Sequence, residues 1–336
     1  MKRVLAFLGF IAIISACKKD NTTNPDGGLN YLEVPSPPFF PAMLVPSDNP
    51  MSKEGVALGR KLYYDSRLST GGNLEGMSCT SCHLQQNGFS SLLSSGTPIM
   101  PHANLGLSNH FLWNGKVSGT LEEVMEFEVR DFFETDLGYF NSLNDYKADF
   151  KKVFGTEEVT YPRMAMALAQ FFRTLNSYNS PYDQWLRGEA MLSPLEWRGL
   201  ELFFSEAADC FHCHAGPLFM DKQFHNTGLD STNLPGDGHE AISGMAYHRG
   251  SFKTPTLRNV AVRGPYMHDG RFQTLREVID FYAEGMHVNA NLDPLFQKYG
   301  PVQRLNLTEY DKQALVAFLE ALTDPVFLSD KNLSAP

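Results

Sequence analysis

The stretch "CFHCH", residues 210–214, repeats an earlier "CTSCH", residues 79–83. Each places two cysteines three positions apart with a histidine directly after the second. The chain has five cysteines, and four of them lie in these two pentads. Three chemistries use cysteines at this spacing. A structural zinc site can be built from two such pairs, but these lie 131 residues apart and each carries an adjacent histidine. A thioredoxin-type redox pair sits near a βαβ pattern, and neither pentad has one around it. Haem of the c type uses two thioethers to fix one edge of the porphyrin and the next residue's imidazole to hold the iron. That reading explains why histidine follows both times and why no pentad cysteine is idle. It makes Cys79, Cys82, His83 and Cys210, Cys213, His214 two cofactor-binding sets, with His83 and His214 as the proximal metal ligands of two covalently bound haems.

Composition sets the frame around the pentads. A length of 336 residues suits about two domains. With 43% hydrophobic and 20% charged residues, the chain can bury real cores and is not disordered by composition. A formal net charge of −10 argues against a nucleic-acid partner. Lys2 and Arg3 form a positive start, and Val4 to Ala16 is an apolar run too short to span a bilayer. The run ends in "ISAC", which resembles a lipobox with cleavage before Cys17 and lipid on its sulfur. The plainer alternative is a secretory leader with an incidental cysteine. The segment after Cys17 is rich in Asn, Asp, Gly and Pro and shows no apolar period, so it reads as a tether. These features predict an exported protein of the cell envelope or periplasm, lipid-anchored to a membrane but not spanning it.

The body of the chain reads as mainly helical. "GTLEEVMEFEV" and "QTLREVIDFYAEG" each open with a capping box, Thr120 with Glu123 and Thr274 with Glu277. "TYPRMAMALAQFFRTL" sets Met164, Leu168, Phe171, Phe172 and Leu175 on one face. "LTEYDKQALVAFLEALTD" does the same with Leu315, Phe318, Leu319 and Leu322. Long Gly-, Pro- and Asn-rich stretches such as 216–270 lie between them without strand alternation. One domain-scale duplication fits this pattern.

With two pentads in place, the chain resembles the bacterial dihaem cytochrome c peroxidase family, whose relatives include MauG. The resemblance runs from about Pro46 to Thr323 and is carried by "LGRKLYYDSRLSTGGNLEGMSCTSCH", "FLWNGK", "TLEEV", "YDQWLRGE", "RGLELFF", "CFHCHAGPLF", "FHNTGLD", "RGSFKTPTLRNVAVRGPYMHDGRFQTLREVIDFY" and "LVAFLEALTD". It implies two cytochrome c-like haem domains with long irregular loops. The divisions are a signal peptide, 1–16; a flexible tether, 17–45; an N-terminal peroxidatic domain, 46–185; a C-terminal electron-transfer domain, 186–325; and a tail, 326–336. Trp113 matches the family tryptophan between the haems. Glu134, thirteen residues after Leu121, matches the active-site glutamate. The sixth ligand of the second haem falls fourteen residues after His268, at Tyr282, with Met286 as the fallback. The peroxidases have Met at this position and the MauG group has Tyr.

The chain also departs from the family pattern. His102 and His110 are the two histidines between the first pentad and Trp113, and neither falls in the register of a distal ligand. Both read as loop or packing residues, which leaves the first iron open at rest. Pro98 stands where the family has an asparagine, which weakens the case for the implied calcium ion between the haems. Val124 replaces a glutamine near the active site. The resemblance implies reduction of hydrogen peroxide with electrons from a small cytochrome c or another periplasmic donor, and a homodimer. Two alternatives stay open: a MauG-like oxidase of a protein or small organic substrate, for which Tyr282 speaks, and an electron carrier with both irons closed.

Overall fold

The computed structural model describes residues 28–35, 37–90 and 98–336. The leader, Cys17 and the first part of the tether lie outside the described residues. No described helix is long and apolar enough to cross a membrane.

The molecule is mainly α, and its two halves repeat one plan. In the first half the helix Lys53–Tyr64 crosses the helix Tyr161–Phe172; in the second, Pro194–Phe203 crosses Glu309–Glu320. Each crossing is made close by a glycine. A Cβ on Gly59 would land inside the Ala167 carbonyl, and one on Gly199 inside the Ala314 carbonyl. Phe171 and Phe318 stand one turn further along the partner helices and close the two contacts. Backbone lies on the far side, so neither neighbour can yield. Gly199→Ala is therefore expected to destabilise the holoprotein by about 1–3 kcal/mol, read by denaturant unfolding, with Gly155→Ala at an exposed helix end as the lesser control.

Apolar faces predicted from periodicity are the buried ones. Leu58, Tyr63, Met164, Leu168, Phe171 and Phe172 meet in the first core. Phe203, Leu315, Phe318, Leu319 and Leu322 meet in the second. Both predicted capping boxes form, at Thr120–Glu123 and Thr274–Glu277. Each caps a short helix, Leu121–Phe127 or Leu275–Asp280, that widens into a π-helical turn, Glu128–Phe132 or Phe281–Gly285. Such wide turns are frequent at functional sites.

The loops repeat as well. Asn104 and Asn259 both take the left-handed conformation, and their amides donate to Leu175 O and Leu322 O. Trp113 and His268 correspond, each preceded by a left-handed residue (Leu112, Met267) and followed two positions later by a left-handed glycine (Gly115, Gly270). Strand content is small: His110–Phe111 pairs antiparallel with Val117–Ser118, and Phe224–His225 with Phe252–Lys253.

The segments read as a tether and a tail both contact the body of the molecule. Part of the predicted tether lies against the body. Leu32 N donates to Met51 O, Asn30 bonds Glu54, Arg173 Nε donates to Leu44 O, and the Arg258 guanidinium sits 4.6 Å from the Phe40 ring. The predicted tail contains a helix, Pro325–Ser329, started by Asp324 and Pro325. It returns to the first half, where Phe327 and Leu333 are buried, Phe89 packs on Phe327, and Arg60 and Tyr64 bond the carbonyls of Ser334 and Leu333. Loop composition describes local preference. It carries no information about partners supplied from 200 residues away.

Candidate functional site

Each pentad is wound into a turn that sets its histidine. Ser78 and Ser81 form a capping box that starts the helical turn Cys79–Cys82. His83 follows, and its Nδ1 is 2.9 Å from the Phe89 carbonyl. The second pentad starts at Asp209, which is left-handed, and winds through Cys210–His212. The Nδ1 of His214 is 2.8 Å from the Phe219 carbonyl. Phe89 and Phe219 both take positive φ, a conformation rare for bulky residues, and each aims its carbonyl at an imidazole. In both halves Nδ1–H donates to a carbonyl, which fixes the tautomer and leaves Nε2 free for a metal. Burial pushes both imidazoles down to about 4, so they are neutral, as ligands must be. All four pentad cysteines are free. Burial raises the thiols of Cys79 and Cys82, and pushes that of Cys210 up to about 12.

A large cavity opens above the second pentad. Cys210, Cys213, His214, Tyr282, Met286 and Trp113 contribute to its wall. The π-helical turn Phe281–Gly285 carries Tyr282. Burial raises its phenol well above the ordinary range, and the nearby thiols of Cys213 and Cys210 add to the rise. Met286 is buried in a side cluster with Leu229 and Phe281. His268 also reaches the cavity and stacks on Phe252 at 3.5 Å between ring centres.

Two buried cations of the same wall make no ion pair with any described residue. Arg263 is 8% exposed, one of its Nη atoms bonds the Thr256 carbonyl, and its Nε has no partner among the described residues. Lys253 is also buried, and burial pushes its ammonium down to about 8. Buried charges are normally paired. A haem fits this wall, because its propionates are anions and the free sulfurs and Nε2 are its other attachment points. Arg263 and Lys253 carry no sequence signal, since nothing local marks a cation as buried. His225 lies beside them, held between Asp221 at 2.7 Å and Asp293 at 2.6 Å. Burial opposes its charge, but the two carboxylates push it up to about 12.

Trp113 stands where the halves meet. Its indole N–H donates to the Pro98 carbonyl at 2.7 Å, and its own carbonyl accepts from Lys253 N at 2.8 Å. It belongs to the first half by chain and lines the second half's cavity. Glu134 follows the π-helical turn of the first half, is exposed, and takes positive φ. Its carboxylate faces Gly72, seven residues before Cys79.

The two intervening histidines both make ring-packing contacts. The His102 ring stacks on His83 with 3.4 Å between centres, and its Nδ1 is 3.1 Å from Tyr63 Oη. Two imidazoles that bracket one metal point at each other end to end, with nitrogens about 4 Å apart at a metal–nitrogen bond near 2 Å. Rings lying face to face cannot do this. His110 packs on Phe224 of the second half.

Comparison with known proteins agrees with this architecture. Residues 53–191 match the family described as di-haem cytochrome c peroxidase. The chain is 33% identical to the methylamine utilization protein MauG of Methylorubrum extorquens, over 82% of this chain and 80% of that one. It is also 33% identical to the cytochrome-c peroxidase IdrP1 of Denitromonas iodatirespirans, over 88% of both chains. Among solved structures, a MauG-like protein associated with microbial copper homeostasis superposes with a TM-score of 0.80 at 32% identity, covering 91% of this chain and 99% of that one. The diheme peroxidase BthA from Burkholderia thailandensis shares the fold, with a TM-score of 0.65 at 20% identity. By this similarity, which spans most of both chains, the protein belongs to the di-haem cytochrome c peroxidase family.

Proposed function

We propose that the protein reduces hydrogen peroxide to two waters at the His83 site, with two protons and two electrons. The electrons enter at the His214 site from a small cytochrome c or another periplasmic donor. The observation that carries this reading is an asymmetry between two halves that are otherwise alike. Both hold a neutral imidazole by its Nδ1, but only the second has Tyr282 in the cavity beside it, with Met286 as the fallback ligand. His102 lies flat on His83 in a packing contact, which supports an open first site.

Bound haem supplies the redox chemistry and the Lewis-acidic iron at which the O–O bond breaks. The chain supplies the rest. Glu134 takes a proton from one peroxide oxygen and delivers it to the other, so that water is the leaving group. Trp113 lies between the two sites and bridges them for electrons. Cys79, Cys82, Cys210 and Cys213 hold the two haems through thioethers. Calcium would have to find oxygen ligands elsewhere than the side chain of Pro98, which has none. Export and a lipid on Cys17 put the enzyme at the cell envelope.

The test is steady-state oxidation of a reduced small cytochrome c by peroxide. Two donors oxidised per peroxide is the expected result. Mass spectrometry of the denatured chain should find two haems still attached. A second reading, oxidation of a protein or organic substrate as in MauG, is favoured by Tyr282. It would show as an oxidised state that persists when the cytochrome donor is offered.

A further inference from the structure

Glu128 is the residue of the first half that corresponds to Tyr282. Leu121, Glu123, Val124, Phe127 and Glu128 run in register with Leu275, Glu277, Val278, Phe281 and Tyr282. The capping box, the short helix and the π-helical turn repeat with them. Burial repeats too: Leu121 and Leu275 are buried, and Val129 and Ala283, one residue after the pair, are both fully buried. Tyr282 lines one cavity with Cys210, Cys213 and His214 of the second pentad, and the charge of the Glu128 carboxylate raises the Cys79 thiol of the other pentad. The half-buried Glu128 carboxyl makes no ion pair and accepts no hydrogen bond from any described residue. Burial pushes it up to about 7, and Lys116 is the one cation that works against this.

We propose that Glu128 is a second catalytic carboxyl, standing over the iron position of the first site where the second site has its phenol. This rests on the proposed function, in which His83 holds an open iron. A glutamate ends nearer its own backbone than a tyrosine does, so its carboxyl stops short of the metal and leaves room for one small ligand. One fold then yields two irons, closed by Tyr282 and open under Glu128. Glu128 would hold the proton of a bound ligand, with Glu134 at the exposed mouth.

Two variants of the holoprotein test this with cyanide, which arrives as HCN and must give its proton to a base when it binds. Glu128→Tyr should close the first iron: the high-spin ferric signal disappears and cyanide no longer binds. Glu128→Gln should keep the high-spin signal but slow cyanide association by about 10²-fold. A Glu128→Tyr protein with an unchanged high-spin signal and unchanged cyanide binding would overturn the inference alone. So would Glu128→Gln with wild-type association. A wild-type protein with two low-spin haems would overturn the proposed function, and this inference with it.

Discussion

Glu134→Gln is expected to slow the reaction with peroxide by about 10²- to 10⁴-fold, the range lost when a positioned proton shuttle is removed. Glutamine keeps the size of the side chain but cannot carry the proton. The backbone supports a functional role for this residue. Glu134 sits at positive φ with no glycine to ease it, a conformation that persists only where neighbours enforce it. Thr135 enforces it: its Oγ1 donates to the Leu68 carbonyl at 2.7 Å, its amide donates to Val129 O, and its carbonyl accepts from Tyr161 Oη. The Glu134 side chain itself is exposed, so the substitution should leave stability nearly unchanged. Single-turnover stopped-flow mixing with peroxide separates the chemical step from delivery of electrons. Reduction of the second haem by its donor should match the wild type. An unchanged peroxide rate constant would remove Glu134 from the mechanism.

Asp183→Ala is expected to cost about 3–5 kcal/mol of stability, because it strands a buried guanidinium. Arg258 is fully buried, and its two Nη atoms each meet Asp183 at 2.8 Å. Its Nε donates to the Pro217 carbonyl at 2.6 Å, three residues past His214. Asp183 also accepts from Ser180 N and Oγ, which starts the helix Pro181–Leu186. The effect should therefore reach the second haem's spectrum as well as the unfolding midpoint. Burial alone would raise the Asp183 carboxyl, but Arg258 and Ser180 hold it below the ordinary 3.8. The sign follows from that depression: the contribution is complete above the unfolded value and is lost as acid titrates the folded carboxylate. Chemical denaturation at neutral pH measures the loss. Asp183→Leu with Arg258→Met should recover part of it, since neither charge is then left alone.

What could be read from sequence was local chemistry. The two capping boxes and the apolar faces depend on residues within a few positions of one another, and they take the expected form. Tertiary partners were not legible. Arg258 looks like any loop arginine until Asp183 is brought to it. Residues 30–45 and 325–334 look like free chain until Met51, Arg173 and Tyr64 supply their hydrogen bonds. Glu128 is an intermediate case. The repeat of "TLEEVMEFE" in "TLREVIDFY" is visible in the chain, but its meaning comes from both helices widening at the same register and from Tyr282 sharing a cavity with Cys210 and Cys213.

Two similar haem sites should differ at the sixth position, one open and one closed. The EPR and absorption spectrum of the fully oxidised holoprotein as purified tests this. One high-spin and one low-spin ferric haem are expected, with prompt reaction on adding one equivalent of peroxide. Two low-spin haems, unreactive even after half-reduction, would contradict it and make the protein an electron carrier.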